Sequence, residues 1–225
     1  MDKKFITFLN YLGRLQIYSL LDLIVLATAI SRDIKVVFGV IFLWVSFLFY
    51  RETRRADDHN LKINKHLWIV TFIVSAFFLP ILVCLGFALC SYFYAKKKKE
   101  KIWGISASFW RGFQYVAIVA AYDLKLSLLV FVLIFIRSLI ADFRDAGDDA
   151  KRNIQTIPVA LGINKNQVWA LYSHMIFISL TTVVWSRFSF LDGRWIILII
   201  ILQIITYPFT PRMSNPKYFS FYDEV

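Results

Sequence analysis

Leu126-Ser-Leu-Leu-Val-Phe-Val-Leu-Ile-Phe-Ile-Arg-Ser-Leu-Ile-Ala141 carries one charge, Arg137, and no polar/apolar alternation. A half-buried strand alternates with period two, so this run reads as a helix, and at its length the helix reaches roughly 24 Å. Similar runs recur at about 14–31, 34–56, 66–79, 81–95, 103–121, 126–141, 166–186 and 194–209. None looks like the short alternating strands of a membrane barrel. The expected fold is all-α: a polytopic bundle of about eight transmembrane helices in a single domain, 1–225.

Composition points the same way. A 225-residue chain that is 59% hydrophobic and 18% aromatic, with mean hydropathy +0.61, lies outside the soluble globular range. The opening Met-Asp-Lys-Lys-Phe-Ile-Thr lacks signal-peptide order, so the first apolar run is expected to remain as a span. Cys84 and Cys90 are six residues apart in one apolar segment, which suits neither a zinc site nor a bridge within a straight helix.

The net charge of +11 would suit nucleic acid, but Lys and Arg gather in loops beside the apolar runs. The positive-inside rule explains that placement, and no nucleic-acid partner is expected. Segments 51–66 and 96–101 are both basic, so both belong in the cytoplasm. An even number of crossings must then separate them, and Pro80 divides 66–95 into two helices. Eight spans follow, with both termini inside; Arg32, Lys125, Arg187 and Arg194 are left on the opposite face. The pattern favours a prokaryotic cytoplasmic membrane.

The run ending at Ala141 passes directly into Asp142-Phe-Arg-Asp-Ala-Gly-Asp-Asp-Ala-Lys-Arg-Asn-Ile-Gln-Thr-Ile-Pro-Val-Ala-Leu-Gly162. At about 100° per residue, Asp142, Asp145 and Asp149 fall within about 60° on a continued helix, while Asp148 turns away. Three carboxylates on one face at a membrane surface suggest Mg²⁺, and Mg²⁺ there suggests a diphosphate. Arg111 and Arg137 fall inside apolar runs, where a charge is costly. Arg137 is read as part of a site and Arg111 as a snorkelling residue. His59, His66 and His174 share no motif, and His174 reads as a hydrogen-bonded helix residue.

Asp142-x-x-Asp145-x-x-x-Asp149, then Lys151 and Thr156-Ile-Pro-Val-Ala-Leu-Gly162, resembles the second aspartate-rich motif of UbiA-type intramembrane prenyltransferases. Gly147 and Arg137 also stand where these proteins often carry a glycine and an arginine. The resemblance implies a bundle of about nine helices and a first acidic motif ending the second span. In this chain Asp57 and Asp58 match its first two positions, while Leu61 and Lys65 occupy the later aspartate positions. Tyr92-Phe-Tyr94-Ala-Lys-Lys-Lys-Lys99 resembles the tyrosine and basic loop after the fourth span, with Lys98 best placed, and Arg14 resembles a basic residue near the first.

The resemblance implies Mg²⁺ held by Asp57, Asp58, Asp142, Asp145 and Asp149, with Asp58, Asp145 and Asp149 central to catalysis. Arg14, Lys62, Tyr94, Lys98, Arg137 and Lys151 would contact the diphosphate at the cytoplasmic face. The implied substrates are a prenyl diphosphate and a lipophilic or aromatic acceptor, in contact with membrane lipids. A branch of the family takes phosphoribosyl diphosphate with the same general motifs. A non-catalytic member that binds isoprenoid lipid or scaffolds a membrane complex is the other expectation. CDP-alcohol phosphotransferases are disfavoured, because Asp145 is followed by Ala-Gly, with no Ala-Arg and no downstream acidic pair of the form Gly-x-x-x-Asp-x-x-x-Asp. Repeated halves and paired broken helices, which would suggest a transporter, are not found.

Overall fold

The computed structural model describes residues 16–54, 66–96, 107–151 and 153–209. Among them all regular structure is helical: α1 (Ile17–Ile30), α2 (Ile34–Arg54), α3 (Leu67–Ala76), α4 (Ile81–Lys96), α5 (Ala107–Val119), α6 (Leu124–Arg144), α7 (Ala146–Lys151), α8 (Ile157–Ala160), α9 (Val168–Ser186), α10 (Gly193–Thr206) and the 3-10 turn Tyr207–Phe209. The eight longer helices lie where the apolar runs placed helices.

Helix ends follow local chemistry. Proline has no N–H to continue α3, and the Pro80 carbonyl instead accepts from Val83 and Cys84 at 2.9 and 3.3 Å, opening α4. Asp123 caps α6 by accepting from the amides of Lys125 and Leu126, both at 2.9 Å. Asp192 caps α10 by accepting from the Arg194 amide at 2.8 Å. The hydrogen bond from the Arg194 side chain, and then the one from its amide, lower the pKa of Asp192. Cys84 and Cys90 are free and buried.

Two helices, α6 with 21 residues and α9 with 19, are long and apolar enough to cross a membrane. Only 28% and 39% of their most apolar stretches are buried, so neither resembles the enclosed core helix of a soluble domain. Large apolar side chains stand exposed elsewhere too, Phe77 at 81% and Leu82 at 79% among them. Bare apolar surface on this scale needs an apolar neighbour.

The described residues gather into two compact units, 16–29 with 175–209, and 30–174. The first unit has a polar centre. Thr181 and Thr182 donate their hydroxyls to Asp22 Oδ1, both at 3.1 Å. Gln203 Nε2 donates to Thr182 Oγ1 at 2.8 Å and to the Tyr18 carbonyl at 3.1 Å. These bonds tie α1, α9 and α10 together through groups that would be costly to expose to hydrocarbon. In the second unit α2 lies against α3 and α4, α4 against α5, and α5 against α6, where Phe109 and Phe113 meet Phe131 with centroids 5.6 and 4.8 Å apart.

Candidate metal and diphosphate site

Arg144 ends α6, and its successor Asp145 takes φ −95°, ψ 2°, outside the helical well. Asp142 therefore sits in the last turn of α6, Asp145 at its C-cap and Asp149 on α7. This corrects the expectation of one continuous helical face. All three carboxylates are nonetheless buried, Asp142 at 4% exposure, Asp145 at 3% and Asp149 at 2%.

Their surroundings differ. Asp142 Oδ2 accepts from Ser108 Oγ on α5 at 2.5 Å. Asp145 is gripped bidentately by Arg144, Nε to Oδ1 at 2.7 Å and Nη2 to Oδ2 at 2.8 Å, while Arg144 Nη1 lies 3.2 Å from His174 Nδ1. Asp149 Oδ2 is buried without a hydrogen-bond partner among the described residues. Asp148 is half-buried and accepts from Asn166 Nδ2 at 3.2 Å.

The segment after α6 is shaped by its own sequence. Both α7 and α8 end in paired bonds closed by a left-handed residue. Asn153 (φ 55°) donates to Ala150 and Ile154 to Asp149; Gly162 (φ 83°) donates to Val159 and Ile163 to Pro158. Gly162 thus meets a backbone requirement at the end of the Thr156–Gly162 stretch. Gly147 meets a steric one: its amide donates to Asn166 Oδ1 at 2.8 Å, and an added Cβ would lie 2.8 Å from the Asn166 backbone nitrogen. Because that atom is backbone, Gly147→Ala is expected to cost about 1–3 kcal/mol, as a downward shift of the unfolding midpoint. A variant as stable as the wild type would show that this approach relaxes freely.

Arg137 is buried on α6 and donates from Nη2 to Tyr115 Oη at 2.8 Å. Tyr94 is half-buried on α4, its ring 5.6 Å from the Arg111 guanidinium carbon. Lys151 is exposed on the last turn of α7. Arg14, Asp57, Asp58, Lys62 and Lys98 lie outside the described residues.

Arg111 is the residue that sequence reasoning misjudged. Its side chain does not reach outward: it is buried, with the guanidinium carbon 4.4 Å from the Trp44 ring, 5.0 Å from Phe47 and 5.5 Å from Tyr115. Arg137 approaches the same Tyr115 ring at 5.4 Å, so two buried cations share one tyrosine. The signal was present as Ser108, Arg111 and Tyr115 at helical spacing, a polar stripe in an apolar stretch.

No three His, Cys, Asp or Glu side chains among the described residues converge as a ready metal cage. One donor suits a hard cation: a buried carboxylate oxygen on Asp149 lacks a partner among the described residues, and Asp142 and Asp145 are buried in the same segment of chain. No protein-family model, curated protein or solved structure matches the chain.

Proposed function

We propose that this chain is an integral membrane prenyltransferase of UbiA type, with eight spans in a prokaryotic cytoplasmic membrane and its acidic site at the cytoplasmic face. It takes a prenyl diphosphate and an aromatic or other small lipophilic acceptor and releases pyrophosphate. The observation that carries this reading is the buried Asp149 Oδ2, without a hydrogen-bond partner among the described residues, in the segment that follows a membrane-capable helix and carries two further buried aspartates. A buried carboxylate oxygen without a donor is costly unless a cation answers it. The resemblance of the motif to the family supports the same assignment.

Asp142, Asp145 and Asp149 would hold Mg²⁺, together with Asp57 and Asp58. Bound there, Mg²⁺ supplies charge neutralisation for a leaving diphosphate. Arg137 lies on the same helix as Asp142 and supplies positive charge from within the unit, with Tyr94, Lys98, Lys151, Arg14 and Lys62 as further diphosphate contacts. The allylic C–O bond breaks with its electron pair leaving on pyrophosphate, the acceptor bonds to the freed carbon, and the acceptor's proton departs. Apolar helix faces keep water from quenching the allylic cation.

A second reading, a non-catalytic isoprenoid-binding or scaffold protein, is favoured by one observation: Arg144 occupies both oxygens of Asp145. Pyrophosphate release from geranyl, farnesyl and geranylgeranyl diphosphates by purified protein in lipid separates the two. With an acceptor panel, Mg²⁺-dependent release that falls at least about a hundredfold in Asp145→Ala is expected of the transferase. Isoprenoid binding with no release under any condition would establish the second reading.

A further inference from the structure

His174 is buried in the first half of α9 and faces the guanidinium that holds Asp145. The approach to α9 is tied to the end of α6, where the Gln167 amide donates to the Phe143 carbonyl at 3.2 Å. Arg144 Nη1 then lies 3.2 Å from His174 Nδ1. A guanidinium is always protonated and has no acceptor, so the ring nitrogen that faces it must accept. The tautomer is therefore fixed, with Nδ1 bare and the proton on Nε2.

Three guanidinium nitrogens are engaged at once: Nε and Nη2 on the two oxygens of Asp145 at 2.7 and 2.8 Å, and Nη1 on His174. The group is a rigid plane, so turning its Nε edge away from Asp145 misaligns the Nη1 bond as well. His174 thus adds its hydrogen bond to the state in which Arg144 covers Asp145. A cation that takes the carboxylate must break that bond too.

We propose that His174 is a positioning residue that regulates the acidic site: by holding Arg144 across both oxygens of Asp145, it sets the divalent-cation concentration at which that carboxylate becomes available. The inference rests on the reading that Asp145 binds Mg²⁺. The buried Asp149 Oδ2, without a hydrogen-bond partner among the described residues, is a second observation that points to a cation in this segment. The direction of the effect runs against ordinary packing. Loss of His174 eases metal binding, because Arg144 then yields Asp145 at lower cost.

Unfolding midpoints of full-length protein in lipid nanodiscs, titrated from EDTA into Mg²⁺, test this in wild type, His174→Leu and His174→Asn. Asparagine keeps an acceptor oxygen near the position of Nδ1, and leucine keeps none. His174→Leu is expected to lower the half-stabilising Mg²⁺ concentration about tenfold, the weight of one hydrogen bond, while His174→Asn stays within about twofold of wild type. A side chain that only packs would lower the midpoint in EDTA and leave the Mg²⁺ dependence unmoved, and that result overturns the proposal. Equal shifts in the two variants overturn it as well.

Should His174→Leu fail to fold, nitrogen NMR of the wild-type imidazole decides. The Nε2–H tautomer in EDTA, with an Nδ1 signal that moves on adding Mg²⁺, is expected; an Nδ1–H ring, or a signal unmoved by saturating Mg²⁺, overturns the proposal. Pyrophosphate release from the same samples keeps the two readings apart. The expected Mg²⁺ shift with no release under any condition sinks prenyl transfer and leaves His174 in its role. Mg²⁺-dependent release with one metal dependence in wild type and both variants keeps prenyl transfer and removes the role.

Discussion

Asp149→Asn is expected to raise the stability of the metal-free protein while lowering Mg²⁺-dependent pyrophosphate release at least about a hundredfold. Asp149 is 2% exposed, and its Oδ2 has no hydrogen-bond partner among the described residues. A buried polar atom in that state costs about 1–3 kcal/mol, and more when it carries charge. Asparagine keeps the shape and removes the charge. The backbone roles are untouched, since the Asp149 amide still donates to the Asp145 carbonyl at 2.9 Å and its carbonyl still accepts from Ile154 at 2.8 Å. Function and stability therefore pull in opposite directions at one atom. Unfolding midpoints in EDTA and in Mg²⁺ check this: Mg²⁺ should stabilise the wild type and lose most of that effect in the variant. A variant less stable than the wild type in EDTA would mean that the carboxylate serves the fold and not a cation.

The helices were legible because apolar runs of this length leave few options. α3 and α4 divide at Pro80 for a reason one residue carries, and Asp123 and Asp192 announce the starts of α6 and α10. The break at Asp145 was not legible. A helical wheel assumes a straight continuation, whereas the chain leaves the helix there and lodges Gly147 against Asn166, nineteen residues on. Sequence spacing carries no record of that contact.

The same physical limit explains Arg111 and Asp22. Arg111 looks like a lone charge on α5, and its burial depends on Trp44, Phe47 and Tyr94 arriving from other helices. Asp22 looks like a blemish in the first apolar run until Thr181 and Thr182 supply hydroxyls from α9. Local pattern reveals which residues are costly to bury; only the fold reveals what offsets that cost. The first acidic stretch, Asp57 and Asp58, lies outside the described residues, so the aspartates of α6 and α7 carry the comparison alone.

Arg144→Ala is expected to be the most destabilising single change at the site, by about 3–5 kcal/mol, because it strips two charge-assisted hydrogen bonds from a carboxylate that stays buried. The two side chains are 10% and 4% exposed, so solvent screens the pair little. The Arg144→Leu, Asp145→Leu double variant should recover part of the loss, since both charges of the pair are removed together, and a double-mutant cycle on unfolding free energies reads the coupling. The same variant separates the two functional readings. In a transferase whose Asp145 binds Mg²⁺, the metal and the guanidinium compete for the same oxygens, so Mg²⁺ should restore part of the stability lost in Arg144→Ala. In a scaffold whose Arg144–Asp145 pair is structural, Mg²⁺ restores none of it.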